Sequence, residues 1–313
     1  MTRLLPEGLL EPLAAEHELD VWPDSATAPR TDELLAHARR ADGLLSMLSD
    51  RIDRALLAEC PRLLAISNFA VGVDNIDLEA ATARGMPVGH TPGVLDETTA
   101  DLALALMLAA ARRIVELDAE VRAGRWPEYE PFPPYLGHDL NGAVLGIVGL
   151  GRIGRVVARR AEGFAMAVLH TSRSGGVPLD ELLARADFVS IHVPLTGETR
   201  GLIGERELRL MKPSAILVNT ARGPIVDSRA LERALREGWI AGAGLDVTDP
   251  EPLPGDDPLL SAPNLVVAPH VASATHGTRA AIGRLAVENL AAALRGERMP
   301  ACANPEVYEA AEG

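Results

Sequence analysis

Short apolar, β-branched runs alternate along this chain with longer stretches whose apolar positions recur at helical spacing. In the first third, residues 43–48, 63–67 and 87–90 predict strands. Residues 31–40 and 77–84 predict the intervening helices, the first capped by Thr31 and the second ended by Gly85. Residues 97–120 predict one long helix that is apolar nearly all round in its middle, so protein must cover it on most sides. Residues 126–135, carrying Trp126, Tyr129, Phe132 and Tyr135 among prolines, predict an irregular surface crossing. The pattern then restarts. Strands are predicted at 144–148, 167–171, 188–193, 215–219, 240–246 and 265–268, helices at 155–162 and 179–186, and an amphipathic final helix at 275–295. Strands that alternate with helices in this way predict an α/β protein built on largely parallel sheets.

Composition narrows the partners. The 313 residues predict about two domains. The 44 acidic against 30 basic residues leave a net charge of −14, which excludes extended nucleic acid and anionic lipid as partners. Lys212 is the only lysine, so the basic groups are nearly all arginines. The two cysteines, Cys60 and Cys302, have no metal spacing and predict no disulfide framework, and the eight histidines show no ligand spacing, so no metal is predicted. Pro6, Glu7 and Glu11 interrupt any early apolar stretch, which predicts no secretory leader and a cytoplasmic protein. The longest apolar run, residues 102–111, is well short of the ~20 residues that cross a bilayer.

Gly149-Leu150-Gly151-Arg152-Ile153-Gly154 follows the strand at 144–148 and opens a helix, the context a dinucleotide-binding turn requires. The first glycine permits the tight turn, the second lets backbone approach a pyrophosphate, and the third lets helix and strand pack closely. The amides of Arg152 and Ile153 belong to the same phosphate site. The next strand ends in Ser172, Arg173 and Ser174, with no carboxylate for a ribose 2′-hydroxyl. An arginine flanked by hydroxyls pairs with a 2′-phosphate instead, so NADP(H) is the predicted cofactor, with NAD(H) possible.

Three later strand ends are polar: 219–223 with Arg222, 246–252 with Asp246 and Glu251, and 269–273 with His270 and Ser273. Open α/β sheets place ligands at such ends, and an arginine, a glutamate and a histidine there suit a carboxylate anchor and an oriented acid–base. Together with the glycine turn, the 71–75 loop Val71-Gly72-Val73-Asp74-Asn75 and the helix start at 98–103, this ordered set resembles the D-isomer-specific 2-hydroxyacid dehydrogenase family over nearly the whole chain. Within the family, the Thr-Ser-Arg strand end and the 246–254 and 270–275 segments are most similar to glyoxylate/hydroxypyruvate reductases.

The resemblance implies NADPH-dependent hydride transfer to a small 2-oxo acid, glyoxylate or hydroxypyruvate, giving the D-2-hydroxy acid. Arg222, Glu251 and His270 would be catalytic: His270 would protonate the alkoxide, Glu251 would hold the other imidazole nitrogen and favour the protonated ring, and Arg222 would bind the carboxylate. Val71, Gly72 and Ser273 would join the substrate site from around it, Thr99 and Asp246 the cofactor site, Asp246 through the nicotinamide carboxamide. The implied architecture is a Rossmann-type cofactor domain with the dimerisation helix, residues 95–275, inserted in a flavodoxin-like substrate domain of residues 1–94 and 276–313, closing on one another in a homodimer. The short segment after Ser174 departs from the family, leaving room for no further helix and strand and predicting a more open adenosine pocket. Alternatives are a 2-ketogluconate reductase, a phosphoglycerate dehydrogenase, or a non-catalytic NAD(H)-sensing corepressor-like protein.

Overall fold

The computed structural model describes residues 1–126, 128–132 and 134–309. The chain divides into two compact units, one running from Met1 to Leu95 and resuming at Thr275, the other spanning Asp96–Ala274.

The first unit is built on a parallel sheet of β1 (Gly43–Ser46), β2 (Ala65–Asn68) and β3 (Val88–Gly89), in that order. Gly43 lies opposite Ala65, and Ser67 opposite Gly89. Successive side chains of these strands bury on opposite faces: Leu44 and Ile66 join Ile52, Leu57 and Val88 on one side, while Leu45 and Ala65 meet Phe69, Ile282 and Leu290 on the other. Burial on both faces is why the strands read as continuous apolar runs. The helix His276–Leu294 packs across all three strands, approaching so closely at Gly89 that a Cβ there would stand 2.8 Å from Cβ of Asn289.

The second unit carries β4 (Val144–Val148), β5 (Ala167–Ser172), β6 (Gly175–Gly176), β7 (Phe188–Ile191), β8 (Ile216–Asn219), β9 (Gly242–Leu245) and β10 (Leu265–Val267). Their order across the sheet is β10-β9-β8-β7-β4-β5-β6, and all pairs are parallel except β5–β6. Strand order therefore reverses at β4, between its neighbours β5 and β7. Such a switch point opens a crevice at the carboxyl ends of the strands, where doubly wound folds bind ligands.

Several elements differ from the sequence reading. The helix predicted at 97–120 is two, Asp96–Ala111 and Ile114–Arg122, because Arg113 adopts a left-handed backbone with φ of 51° and pairs with Glu116. Arg30, not Thr31, caps the helix Thr31–Ala38, since Glu33 reaches back to the Arg30 amide. The final helix is not simply amphipathic: Leu290, Ala291 and Ala292 are buried in succession. The two glycines after Ser174 form the short antiparallel edge strand β6, so the sheet does gain an element there. The described residues of 126–135 form neither helix nor strand, with Trp126, Tyr129 and Phe132 exposed; Pro127 and Pro133 of that stretch lie outside the described residues.

Candidate active site

The glycine turn leaves β4 at Val148. Gly149 has φ of 100°, and its amide donates to the Thr171 carbonyl at 2.9 Å, closing the turn against β5. A Cβ on Gly154 would lie 2.2 Å from the Gly149 carbonyl oxygen, so only glycine lets the helix begin this close to the strand. Gly151 meets the opposite condition, with open space where a Cβ would stand. The helix starts three residues earlier than the sequence predicts, at Arg152, with Gly151 at its cap position. The first-turn amides of Arg152, Ile153 and Gly154 thus have no acceptor within the helix, which makes this end an anion site. The cradle fits a dinucleotide pyrophosphate. Asp96, buried at the start of the helix Asp96–Ala111, has Oδ2 3.5 Å from Nε of Arg152, and burial raises its carboxyl above the usual range. Thr99 is buried one turn further along that helix.

At the end of β5, Ser172 Oγ donates to the Gly175 carbonyl at 3.0 Å and lies 3.1 Å from Ser174 Oγ. This ties the edge hairpin together. Arg173 is exposed beside it and makes no ion pair among the described residues.

The three later strand ends lie on the same edge because β8, β9 and β10 run parallel. After β8, the buried Asn219 accepts the Ala221 amide at 3.0 Å and donates to the Arg222 carbonyl at 2.9 Å, which fixes the turn that presents Arg222. A Cβ on Gly223 would collide with the Thr248 carbonyl, so the turns after β8 and β9 pack backbone to backbone. After β9, Thr248 Oγ1 donates to the Pro250 carbonyl at 2.8 Å and braces the segment carrying Glu251. After β10, His270 takes a left-handed conformation with φ of 54°, and its Nδ1 lies 2.5 Å from Oε1 of Glu251. The structure therefore joins two of the three predicted catalytic residues directly, with Arg222 on the next strand end. Ser273 is half-buried, and its hydroxyl makes no hydrogen bond among the described residues.

Asp246 does more here than its sequence position suggests. Its two carboxylate oxygens accept the amides of Val271 and Ala272 at 2.7 and 2.9 Å, and its carbonyl accepts the His270 amide at 2.8 Å. It holds the turn under His270 from below, and burial raises its carboxyl despite those two amides. His192, which the sequence reading passes over, follows β7 directly beside Gly149, where a Cβ would touch its backbone. Ser190 Oγ lies 2.8 Å from its Nε2, and desolvation pushes the imidazole down to about 4. A polar residue at a strand end is the signal that marks His192, and the Asn219-to-Arg222 spacing of a side-chain-closed turn marks Asn219. In the first unit, Val71 and Gly72 lie in a loop after β2, their carbonyls accepting from His90 Nδ1 at 3.0 Å and Asn68 Nδ2 at 2.9 Å. No His, Cys, Asp and Glu cluster suited to a metal is found among the described residues, and no helix there is long and apolar enough to cross a membrane.

A family model for the D-isomer specific 2-hydroxyacid dehydrogenase NAD binding domain matches residues 104–272. The chain is 50% identical to a glyoxylate reductase of Korarchaeum cryptofilum over 99% of this chain and 96% of that protein. Among solved structures it is similar to TT0316 of Thermus thermophilus, with a TM-score of 0.90 and 47% identity, covering 96% of this chain and 98% of that one. It is also similar, with a TM-score of 0.83 and 33% identity over 97% of this chain and 96% of the other, to an NADPH-dependent glyoxylate/hydroxypyruvate reductase of Sinorhizobium meliloti in complex with NADP and malonate. The glycine turn, the paired imidazole and carboxylate at the sheet's carboxyl edge, and these likenesses agree: the chain belongs to the D-isomer-specific 2-hydroxyacid dehydrogenase family, an NAD(P)-dependent oxidoreductase that reduces a 2-oxo acid.

Proposed function

We propose that this enzyme reduces glyoxylate or hydroxypyruvate to the D-2-hydroxy acid with NADPH, using His270 as the proton donor. The observation that carries this reading is the 2.5 Å pairing of Glu251 Oε1 with His270 Nδ1. That pairing leaves Nε2, which makes no hydrogen bond among the described residues, as the ring nitrogen that meets substrate. The Glu251 carboxylate fixes the tautomer and offsets the ring's positive charge, so His270 delivers its proton from Nε2 to the oxygen that becomes the hydroxyl. The forked guanidinium of Arg222 suits the substrate carboxylate and polarises the ketone, and the Val71–Gly72 loop, with Ser273, binds the same small acid. When bound, the nicotinamide supplies the hydride that reduces the ketone carbon.

Gly149, Gly151, Arg152, Ile153 and Gly154 hold the pyrophosphate, with Thr99 and Asp246 as further cofactor contacts. Ser172, Arg173 and Ser174 receive the 2′-phosphate: the β5 end has no carboxylate to repel it, and the Sinorhizobium relative is an NADP complex. In this reading the Asp96–Ala274 unit binds cofactor and the first unit binds substrate. The half-buried Leu102 and Leu108 on the helix Asp96–Ala111 face a second copy in a homodimer.

Initial rates with NADPH and NADH against glyoxylate, hydroxypyruvate, pyruvate and 2-ketogluconate test the proposal. It predicts the highest kcat/KM with NADPH and one of the first two acids. A preference for 2-ketogluconate would overturn the substrate assignment, and better use of NADH the cofactor assignment.

A further inference from the structure

The loop after β2 is held by side chains that the catalytic reading does not use. Val71 and Gly72 each offer a carbonyl to a donor at the carboxyl edge of the first unit's sheet: Val71 to His90, just beyond β3, and Gly72 to Asn68, the last residue of β2. A carbonyl only accepts, so His90 Nδ1 carries its proton. In a trans peptide the carbonyl and the following amide N–H point in opposite directions. With both carbonyls drawn down onto the strand ends, the N–H groups of Gly72 and Val73 are turned away from the sheet. Neither amide donates a hydrogen bond among the described residues.

The anchors are themselves fixed. Asn68 is fully buried, and its oxygen accepts from Ser46 Oγ at 3.0 Å while its amine reaches Asn75 Oδ1 at 3.0 Å. Asn75 in turn donates to the carbonyls of Met47 and Asp50 at 3.1 and 2.9 Å. His90 is pinned through its backbone, its carbonyl accepting from the buried Asn289 at 2.9 Å and its amide donating to Ala301. A buried polar network with its partners satisfied is rigid, so the peptides it grips cannot flip cheaply.

We infer that His90 and Asn68 are positioning residues, which orient the Gly72 and Val73 amides as a preformed pair of donors for the substrate's carboxylate. The inference rests on the reading that the Val71–Gly72 loop binds a 2-oxo acid. The amide pair acts on bound carboxylate in ground state and transition state alike, so its loss raises KM and leaves kcat nearly unchanged.

The test is His90→Phe, which keeps a ring and removes the donor, and His90→Asn, whose amide nitrogen restores a donor near the Nδ1 position. Each is compared with wild type for glyoxylate kinetics and for oxamate binding by calorimetry in the presence of NADPH. His90→Phe raises KM for glyoxylate and the oxamate Kd about tenfold, the scale of a displaced hydrogen bond to a charged group, with kcat within about threefold and NADPH affinity unchanged; His90→Asn recovers most of the loss. Unchanged KM and oxamate Kd in His90→Phe, or a loss confined to kcat, overturns the inference. Asn68→Ser, which shortens the second anchor, raises the same two constants if the inference holds, and unaltered constants in that folded variant overturn it as well. Absence of 2-oxo acid reduction by wild type would instead overturn the functional reading, which the wild-type assay reports separately.

Discussion

Asp246 Oδ1 accepts the amide of Val271 at 2.7 Å and so fixes the turn on which His270 stands. With Oδ2 on the Ala272 amide, the carboxylate caps two successive N–H groups at the end of β10 while it sits at the end of β9. The left-handed backbone of His270 is the consequence of that grip, since a non-glycine residue keeps a positive φ only where its surroundings impose it. Asp246→Asn replaces one acceptor by an amine facing an amide donor. That leaves a buried N–H unpaired, at a cost of about 2 kcal/mol. Thermal unfolding should show Tm lower by several degrees, and kcat should fall more than KM rises because His270 is displaced. An unshifted Tm with normal kcat would show that the clamp is dispensable.

Gly154 carries a steric prediction. Its missing side chain makes room for the Gly149 carbonyl, at 2.2 Å from where a Cβ would stand. Gly154→Ala must push helix and turn apart, so NADPH affinity should fall at least about tenfold, with stability also lowered. Fluorescence titration of NADPH checks it, and native affinity in the variant would refute the account of the turn.

The β5 end predicts an exchange of cofactor. Ser172→Asp combined with Arg173→Ala supplies a carboxylate for a free 2′-hydroxyl and removes the phosphate partner. The ratio of kcat/KM for NADPH to that for NADH should fall by about two orders of magnitude, from two charge-assisted contacts reversed in sign. An unchanged ratio would place the 2′-phosphate elsewhere.

His192 predicts a pH dependence of stability. Its folded pKa is lowered to about 4, by desolvation, from an unfolded value of 6.5. Between these values the unfolded chain holds a proton that the folded chain does not, so stability falls as pH drops from 6.5 toward 4, by up to about 3 kcal/mol. His192→Asn removes that contribution. The Tm of the variant should therefore decline less steeply than that of wild type across this window, and parallel declines would exclude His192 as the source.

Much of this was legible in the residues, for reasons particular to each. Leu145, Ile147 and Val148 read as a strand because both faces of β4 are covered, and the glycines of the turn announced a close approach that their contacts now explain. The break at Arg113 was not legible: no glycine or proline marks it, and an arginine carries no preference for the left-handed backbone it adopts there. The strand β6 consists of two glycines, which have no strand propensity of their own and pair only because Ser172 closes the hairpin. Glu251 and His270 could be named from the sequence, but their meeting depends on β9 and β10 being parallel neighbours. The grip of Asp246 could not be read at all, because its partners are backbone amides, which every residue has.

The central claim is that His270, paired with Glu251, supplies the proton for reduction of a 2-oxo acid. Steady-state oxidation of NADPH by glyoxylate, measured for wild type and His270→Asn, tests it most directly. The account predicts turnover by wild type and a loss of about 10²–10⁴-fold in kcat for the variant, with NADPH affinity nearly unchanged. Near-normal turnover by His270→Asn would contradict it.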